Sequence, residues 1–290
     1  MISSVADSGP LGGWIAFPGG EFTRDPASLR NSSGYHGPSY DRAIGSWVPV
    51  EYQNVAPDGL TYVLYHDATT EVPNAFYLVD AKTGSQRLIL PTPLPPTQGS
   101  EWKVIEYASE GIYLWAPSVG MAKAVPGLWL LDPLTGRVTL INGQYYWRII
   151  SGASAWALDP WTGPDNYGFP PSRIGGYKVY RLDLLTGKVN TWYSSQTPIQ
   201  LLSATPDGGL LINYGVHDKP RLAVLEGPGV FSPLAIAADF PPIWDARSTR
   251  PGVWIGLYGA IALYVKGEGV RIVARNPDVN GLYYAAGGCW

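Results

Sequence analysis

The sequence predicts an all-β protein built from repeated antiparallel sheets, and three observations carry this prediction. Aromatic residues and turn formers are abundant, with 12 Trp, 19 Tyr, 35 Gly and 27 Pro among 290 residues, a mixture typical of short strands joined by tight turns. No segment has a sustained apolar period of 3.6 residues, as long amphipathic helices would. A turn in which Asp precedes Gly by four residues recurs between apolar segments, which indicates a repeated structural unit.

The recurring turn counts the units. It occurs in "SYDRAIGSWVPV", "FYLVDAKTGSQRLIL", "LWLLDPLTGRVTLI" and "VYRLDLLTGKVNTW", and two degenerate copies turn near Glu226 and Lys266. The copies are 39 to 52 residues apart, which fits four-stranded propeller blades. Residues 57–59 and 206–208, both Pro-Asp-Gly, mark the other hairpin of a unit, because Pro presets one turn dihedral and Gly accepts positive φ. We therefore predict a six-bladed β-propeller of four-stranded antiparallel blades.

The two ends of the chain are predicted to complete one blade of a single domain, residues 1–290. The N-terminal segment supplies "GGWIAF" as a second strand and the Asp41 hairpin, and "GLYYAAGGCW" at the C-terminus has the character of a missing first strand. Pairing them would remove the free edges of an open array. The predicted blades are residues 281–290 with 12–50, then 51–90, 101–142, 145–193, 198–235 and 241–275.

With "APDG" and "TPDG" after first strands, and "LVDAKTG", "LLDPLTG" and "RLDLLTG" between third and fourth strands, the chain resembles the six-bladed propellers of the TolB-like and YVTN-type kind. The resemblance covers nearly the whole chain at the level of the fold. Its departures are the degenerate turns of blades five and six and a long insertion in blade four. Members of this superfamily range from periplasmic scaffolds to lyases, lactonases and peptidase appendages, so the resemblance implies no single function.

Composition excludes several classes of function. Twenty basic residues face 23 acidic ones without a Lys/Arg run, so we expect no nucleic-acid binding. No apolar segment reaches 18 residues, so we expect no membrane span. The single cysteine, Cys289, excludes an internal disulfide and a cysteine metal cluster. The first residues lack the basic and apolar regions of a signal peptide, so none is expected in this segment. Few Lys and many Trp, Tyr and Pro suit an exported protein, so we expect a secreted, periplasmic or cell-surface location.

Three histidines define a candidate metal site. His36, His66 and His217 lie in or beside loops predicted between second and third strands, which share one face with the mouth of a propeller channel. Neutral imidazole is the commonest metal ligand. Against a metal site, exposed loops are polar in any case, and blades one, two and five are not all adjacent.

Polar residues on first strands define a second candidate site, because first strands line the channel of a propeller. They are Glu51, Gln53, Glu106, Arg148, Gln200, Asp245 and Arg247, joined by Asp278 and Asn280 before the closing strand. A ring of oxygen ligands suits calcium or another divalent ion. Alternatively, Glu106 and Asp245 with Arg148 form an acid–base site that acts on a sugar. Water-filled channels also tolerate such residues without any function.

One aromatic residue group differs from the rest. Eleven of the 12 tryptophans fall in or against predicted strands, where they are expected to pack between blades. Trp161 instead lies in a long loop with Asp165, Tyr167 and Phe169, a combination that stacks on sugars or anchors a protein partner. A loop that folds back on its own hydrophobic residues accounts for them equally well.

Two hypotheses of function follow. The sequence contains no GxSxG, P-loop, dinucleotide-binding glycine pattern or HExxH motif, which favours a binding protein over the common enzyme classes. The first hypothesis is therefore an exported or cell-surface binding module that recognises a protein or a glycan on the loop-rich face. The alternative is a hydrolase or lyase with an acid–base or cation site at the channel mouth.

Overall fold

The computed structural model describes residues 2–5, 13–15, 22–24, 39–41, 43–65, 75–92, 102–116, 125–159, 176–215, 219–249, 251–275 and 282–285. Within these ranges the chain forms 25 β-strands. In chain order they are β1 (Ile2–Val5), β2 (Gly13–Ile15), β3 (Phe22–Arg24), β4 (Ser39–Asp41), β5 (Ser46–Val48), β6 (Thr61–Tyr65), β7 (Phe76–Asp80), β8 (Gln86–Ile89), β9 (Lys103–Ala108), β10 (Gly111–Ala116), β11 (Val125–Leu131), β12 (Val138–Asn142), β13 (Trp147–Ser151), β14 (Ser154–Asp159), β15 (Tyr177–Asp183), β16 (Val189–Ser195), β17 (Gln200–Ala204), β18 (Leu210–Asn213), β19 (Leu222–Gly227), β20 (Val230–Pro233), β21 (Ile243–Thr249), β22 (Gly252–Leu257), β23 (Ala260–Val265), β24 (Gly269–Arg275) and β25 (Leu282–Ala285).

Five sheets are four-stranded and antiparallel: β9 to β12, β13 to β16, β17 to β20, β21 to β24, and β25 with β1, β2 and β3. In the first four of these, strands adjacent in sequence pair in order, as two hairpins do. Their first strands and β25 lie beside one another in the order β9, β13, β17, β21, β25, so the sheets stand around a central channel. The fold is therefore an all-β propeller of four-stranded antiparallel blades, as predicted.

The predicted number of blades was wrong, because the described part of the chain holds five four-stranded blades and not six. In the second predicted blade the inner segment Tyr52–Asn54 is a single 3-10 turn, and only an isolated bridge between Val55 and Tyr62 replaces a first strand. That sheet consequently has three strands, β6, β7 and β8. The hairpin of β4 and β5 forms a separate two-stranded sheet, and its Val48 packs with Val79 of the three-stranded one.

Strands from both ends of the chain share one blade, but the Asp41 hairpin predicted as its outer half is not part of it, and β2 and β3 take that place. In the β1–β25 pair Ile2 is opposite Ala285 and Val5 is opposite Leu282. The neighbour of the closing strand differs from the prediction, however, because β1 takes that place and Gly13–Ile15 of "GGWIAF" pairs on the far side of β1. The four residues "ISSV" are too short and too polar to indicate a strand by pattern alone.

Tryptophans fill the spaces between blades. Trp102 meets Trp129 edge to face, with ring centroids 4.7 Å apart. Trp147, fully buried, belongs to a cluster shared by the β9–β12 and β13–β16 blades, and Trp156, also fully buried, to one shared by the β13–β16 and β17–β20 blades. Large flat side chains bury much apolar area in such positions, and this packing agrees with the sequence-based expectation.

The recurring turns have one local structure. In the turn after β7 the Asp80 carboxylate accepts hydrogen bonds from the backbone N–H of Thr83 (2.7 Å) and of Lys82 (3.0 Å). The backbone N–H of Gly84 donates to the Asp80 carbonyl oxygen at 2.9 Å, and Gly84 has φ +71°. The turns of Asp132 and Asp183 are built in the same way. The motif therefore closes the hairpins between third and fourth strands.

Candidate functional site

The inner segments of five sheets bring the predicted channel residues to one axis. Each residue lies on the first strand of a blade or on the 3-10 turn that replaces it, as follows: Glu51 and Gln53 at the turn, Glu106 on β9, Arg148 on β13, Gln200 on β17, and Asp245 and Arg247 on β21. The inner strands neighbour one another, so residues that are far apart in sequence face one channel.

Bulges in the inner strands help to aim these side chains. Each of β9, β13, β17 and β21 shows a register shift against its neighbour. In β13 the extra residue is Arg148 itself, in β9 it is Ile105, next to Glu106, and in β21 it is Trp244, next to Asp245. A bulge bends the strand and re-aims a side chain, and sequence patterns do not reveal it.

Arg247 is the centre of an ion-pair cluster that joins two sides of the channel. Its Nε donates to Asp245 Oδ2 at 3.3 Å, and its Nη2 lies 3.5 Å from Glu51 Oε2. Glu51 also accepts a hydrogen bond from Gln53 Nε2. Burial lowers the pKa of Arg247, but attraction by Asp245, Glu51 and Glu106 outweighs it and leaves that pKa above its ordinary value. Arg247 therefore keeps its charge, and two carboxylates are held beside it.

Glu106 has a different environment from these carboxylates. Its side chain is partly exposed to the channel, and no hydrogen bond or ion pair to its carboxyl group occurs among the described residues. Desolvation by the surrounding protein raises the pKa of Glu106 to about 8, although the positive charge of Arg247 acts in the opposite direction. At neutral pH Glu106 is therefore protonated in most molecules, and the protonated form is the one that a general acid requires.

Arg148 stands near the loop-side mouth of the channel, because it is the second residue of β13. Its guanidinium carbon lies 4.4 Å from the ring centroid of Trp115. The side chain is exposed to solvent in the channel. The channel walls nevertheless surround it with protein, and the resulting desolvation lowers the pKa of Arg148 to about 10. The group stays protonated at neutral pH. No carboxylate of the described residues pairs with it.

The two glutamines of the channel, Gln53 and Gln200, differ in their hydrogen bonding. Gln200 Oε1 accepts a hydrogen bond from Asn213 Nδ2 of its own sheet at 3.4 Å, so this side chain is partly committed to the fold. Gln53 Oε1 is buried and has no hydrogen-bond partner among the described residues. Since a buried acceptor without a partner is costly, Gln53 is a polar group that a ligand donor would satisfy.

The other predicted site residues lie outside the described residues. These are the histidines His36, His66 and His217, the loop residues Trp161, Asp165, Tyr167 and Phe169, and Asp278 and Asn280. Within the described ranges no group of three or more His, Cys, Asp or Glu residues is placed to hold a metal ion. The carboxylates of Asp245 and Glu51 do not suit calcium, because Arg247 already binds both and its charge repels a cation.

A cleft that the sequence did not predict lies on the opposite face, beside the hairpin turns. Its volume is about 500 Å³ and it lies between the three-stranded sheet and the β9–β12 blade. The lining residues that carry charge or large side chains are Asp58, Tyr107, Glu110, Asp132 and Leu134. Glu110 accepts hydrogen bonds from Ser109 Oγ at 2.7 Å and Tyr113 Oη at 3.1 Å, so its carboxylate already has partners within the blade.

Comparison with known proteins supports the fold and no more. No family model matches the chain and no curated protein matches it. Solved structures match it as a β-propeller, the class of protein that the blades define. A putative TolB from Agrobacterium tumefaciens is 14% identical over 82% of this chain and 91% of its own, with a TM-score of 0.53. A streptogramin B lyase is 14% identical over 98% of this chain and 97% of its own (TM-score 0.47), and a putative gluconolactonase 14% identical over 86% of each chain (TM-score 0.46).

In the part of the chain that the structure describes, none of the helical segments has the length and apolar character needed to cross a membrane.

Proposed function

We propose that the protein is a hydrolase or lyase that acts by acid–base catalysis on a polar substrate bound at the loop-side mouth of the channel. The observation that carries this proposal is the pairing of unlike carboxyl groups in one channel. Glu106 has no counter-ion bound to it among the described residues and a pKa of about 8, whereas Asp245 and Glu51 form ion pairs with Arg247. Two carboxyl groups in such unlike environments are typical of acid–base pairs.

Each group has a definite role in this proposal. Glu106 donates its proton to the leaving oxygen of the substrate as the bond to that oxygen breaks. The Asp245 carboxylate accepts a proton from the attacking water in a hydrolase, or from the substrate carbon in a lyase. Arg247 stays charged and stabilises the negative charge that develops near it. The chemistry needs no nucleophilic side chain, in agreement with the absence of a Ser or Cys nucleophile motif in the sequence.

A substrate panel tests the proposal. The panel contains lactones, esters, glycosides and uronic-acid glycosides, and incorporation of oxygen from labelled water distinguishes hydrolysis from elimination. On any substrate turned over, we expect Glu106→Gln to lower kcat by about 10²- to 10⁴-fold with a small change in KM. The matched control is Glu110→Gln, since Glu110 has the same side chain in the same blade but lies at the turn of the opposite face. Full activity of Glu106→Gln would contradict the proposal.

The pH profile gives a second test. Because the acid form of Glu106 is the active one, kcat/KM should fall as the pH rises through about 8. In Glu106→Gln this alkaline limb should disappear together with most of the activity. An alkaline limb of the same midpoint in the residual activity of Glu106→Gln would assign it to another group and remove Glu106 as the acid.

A second candidate function, an exported or cell-surface module that binds a glycan or a protein, is supported by the place where β14 ends. Its last residue, Asp159, precedes the segment with Trp161 in sequence, and β14 pairs with β13, which carries Arg148 near its start. Strand β14 thus ends on the side of the channel mouth. Binding on a glycan array that Trp161→Ala reduces at least tenfold supports this function, and equal binding by the variant counts against it.

A further inference from the structure

The two arginines of the described channel differ in what they bind. Arg247 uses its donors on Asp245 and Glu51. Arg148 has contact with the Trp115 ring alone among the interactions that the structure describes. A guanidinium group carries five N–H donors in a rigid planar fork, so the fork of Arg148 is available to an acceptor from outside the fold.

Trp115 and the bulge hold Arg148 in a fixed position. Trp115 is only 7% exposed and belongs to the cluster between the β9–β12 and β13–β16 blades, so it does not move freely. At 4.4 Å from the ring centroid, the guanidinium carbon is held by a cation–π contact. The ring covers only part of the cation, and no hydrogen bond from its five N–H groups to a described residue occurs. The donors of Arg148 therefore remain usable.

Within the described ranges, neighbouring carboxylates do not compete for these donors. Asp245 and Glu51 are engaged by Arg247. Glu106 is mostly a neutral acid at pH 7, given its pKa of about 8. A planar fork with free donors matches the two oxygens of a carboxylate or of a phosphate better than any neutral group.

We propose that Arg148, whose guanidinium lies over the Trp115 ring, forms an oxyanion subsite at the loop-side mouth of the channel that binds a carboxylate or phosphate group of the ligand. This subsite rests on the proposed function, because it names the chemical class of the substrate. The anionic group anchors one end of the substrate, and the rest extends down the channel toward Glu106. Arg148 is accordingly a binding residue and takes no proton in the reaction.

Binding of simple anions tests the subsite without any turnover. The full chain is titrated with sodium acetate and, separately, with inorganic phosphate at constant ionic strength made up with chloride. The arginine Nε–Hε signals are followed by NMR. We expect saturable shifts in one arginine signal that is missing in Arg148→Met, and an apparent Kd at least tenfold weaker in that variant. Arg148→Lys should show an intermediate Kd, because an ammonium group keeps the charge but lacks the fork.

The control is Arg87→Met, in which an exposed arginine of the opposite face, bound to the Pro133 carbonyl oxygen at 2.6 Å, is removed. Its Kd should stay within twofold of the wild type. Tighter binding of acetate assigns the subsite to carboxylates, and tighter binding of phosphate assigns it to phosphates. An unchanged Kd in Arg148→Met, or shifts that do not saturate and equal those with added chloride, would overturn the inference.

The same titration in Glu106→Gln separates the two proposals. Anion binding that survives in Glu106→Gln and depends on Arg148 supports the subsite even if no substrate of the panel is turned over, in which case only the proposed catalysis fails. Turnover that depends on Glu106 but is indifferent to Arg148→Met, in both KM and kcat, leaves the catalysis in place and rejects the subsite.

Discussion

The carboxyl groups of the hairpin turns and that of Glu106 in the channel respond to the fold in opposite ways. At the turns, hydrogen bonds from the residues just after Asp80, Asp132 and Asp183 lower the pKa of each carboxyl group, led by those from Thr83, Thr135 and Thr186 in that order. In the channel, desolvation raises the pKa of Glu106 to about 8.

The difference shows what sets the charge of a carboxyl group in this protein. A turn stabilises the ionised form with donors that lie two or three residues away, so the effect is local and repeats wherever the motif repeats. The channel destabilises the ionised form of Glu106 by enclosing it between segments far apart in sequence, so the effect depends on the tertiary structure. Opposite pH dependences of stability follow, since a group with a raised folded pKa costs stability on ionisation and a group with a lowered one gains it.

The largest expected effect on stability is that of Glu106→Gln at alkaline pH. The folded pKa of about 8 lies above the ordinary value of 4.5. As the pH rises between these values, Glu106 ionises more readily in the unfolded chain than in the folded protein, so the wild type loses stability. Because channel water screens part of this cost, we expect the variant to be more stable than the wild type by about 2 to 3 kcal/mol near pH 9. Urea unfolding at pH values near 4 and 9 measures the difference.

The gain in stability from Glu106→Gln should be close to zero near pH 4, where Glu106 of the wild type is mostly protonated in both the folded and the unfolded state. Glu110→Gln is again the control, because hydrogen bonds, first that from Ser109, lower the pKa of Glu110, and its loss should not stabilise the protein at high pH. A gain of equal size at both pH values would show that Glu106 acts by packing instead of by charge.

Two equivalent turns should respond differently to alanine. Gly136 and Gly187 have φ +75° and +71°, but a Cβ on Gly136 would lie 2.9 Å from the Leu90 carbonyl oxygen, whereas one on Gly187 meets nothing within 4 Å. We expect Gly187→Ala to cost about 1 kcal/mol from backbone strain alone, and Gly136→Ala about 2 kcal/mol because the clash adds to the strain. Chemical denaturation of both variants makes the comparison.

The tertiary contact at Gly136 explains this expectation. After β8 the chain crosses to the edge of β12, where the backbone N–H of Thr92 donates to the Gly136 carbonyl oxygen at 2.9 Å and that of Val138 donates to the Thr92 carbonyl oxygen at 3.1 Å. Equal losses in the two variants would mean that the edge contact yields without cost and that the repeated turns are equivalent in energy as well as in sequence.

The smallest effect is expected for Asp183→Asn, whose side chain lies in an exposed turn. The lowered pKa of Asp183 means that its contribution to stability is present above the ordinary value of 3.8 and is lost as the pH falls through the folded pKa. Thermal unfolding near neutral pH should therefore show a slightly lower Tm for the variant, and the difference should shrink as the pH falls below 3.8. A Tm difference that grows on acidification would show that the turn does not stabilise the ionised form of Asp183, and would contradict the contrast drawn between the turns and the channel.

Much of the fold was predictable because it depends on local chemistry. The Asp and Gly of each turn, the Pro-Asp-Gly reversals and the tryptophans between blades act over short distances, and they led to an all-β propeller of four-stranded blades. The number of blades was not predictable in the same way. Tyr52–Asn54 lies where a first strand was expected, yet it forms a 3-10 turn, and nothing in the pattern of "EYQNV" distinguishes the two.

Local sequence suffices to predict the type of repeat, its turns and the set of polar residues on inner strands. Which of those residues interact depends on the three-dimensional arrangement of the blades. Among the described residues, Arg247 pairs with Asp245 and Glu51, the Glu106 carboxyl group has no bound partner, and the Arg148 guanidinium lies over the Trp115 ring. The physical reason is that charge in a channel depends on enclosure and on distances between different blades, and a one-dimensional pattern contains neither.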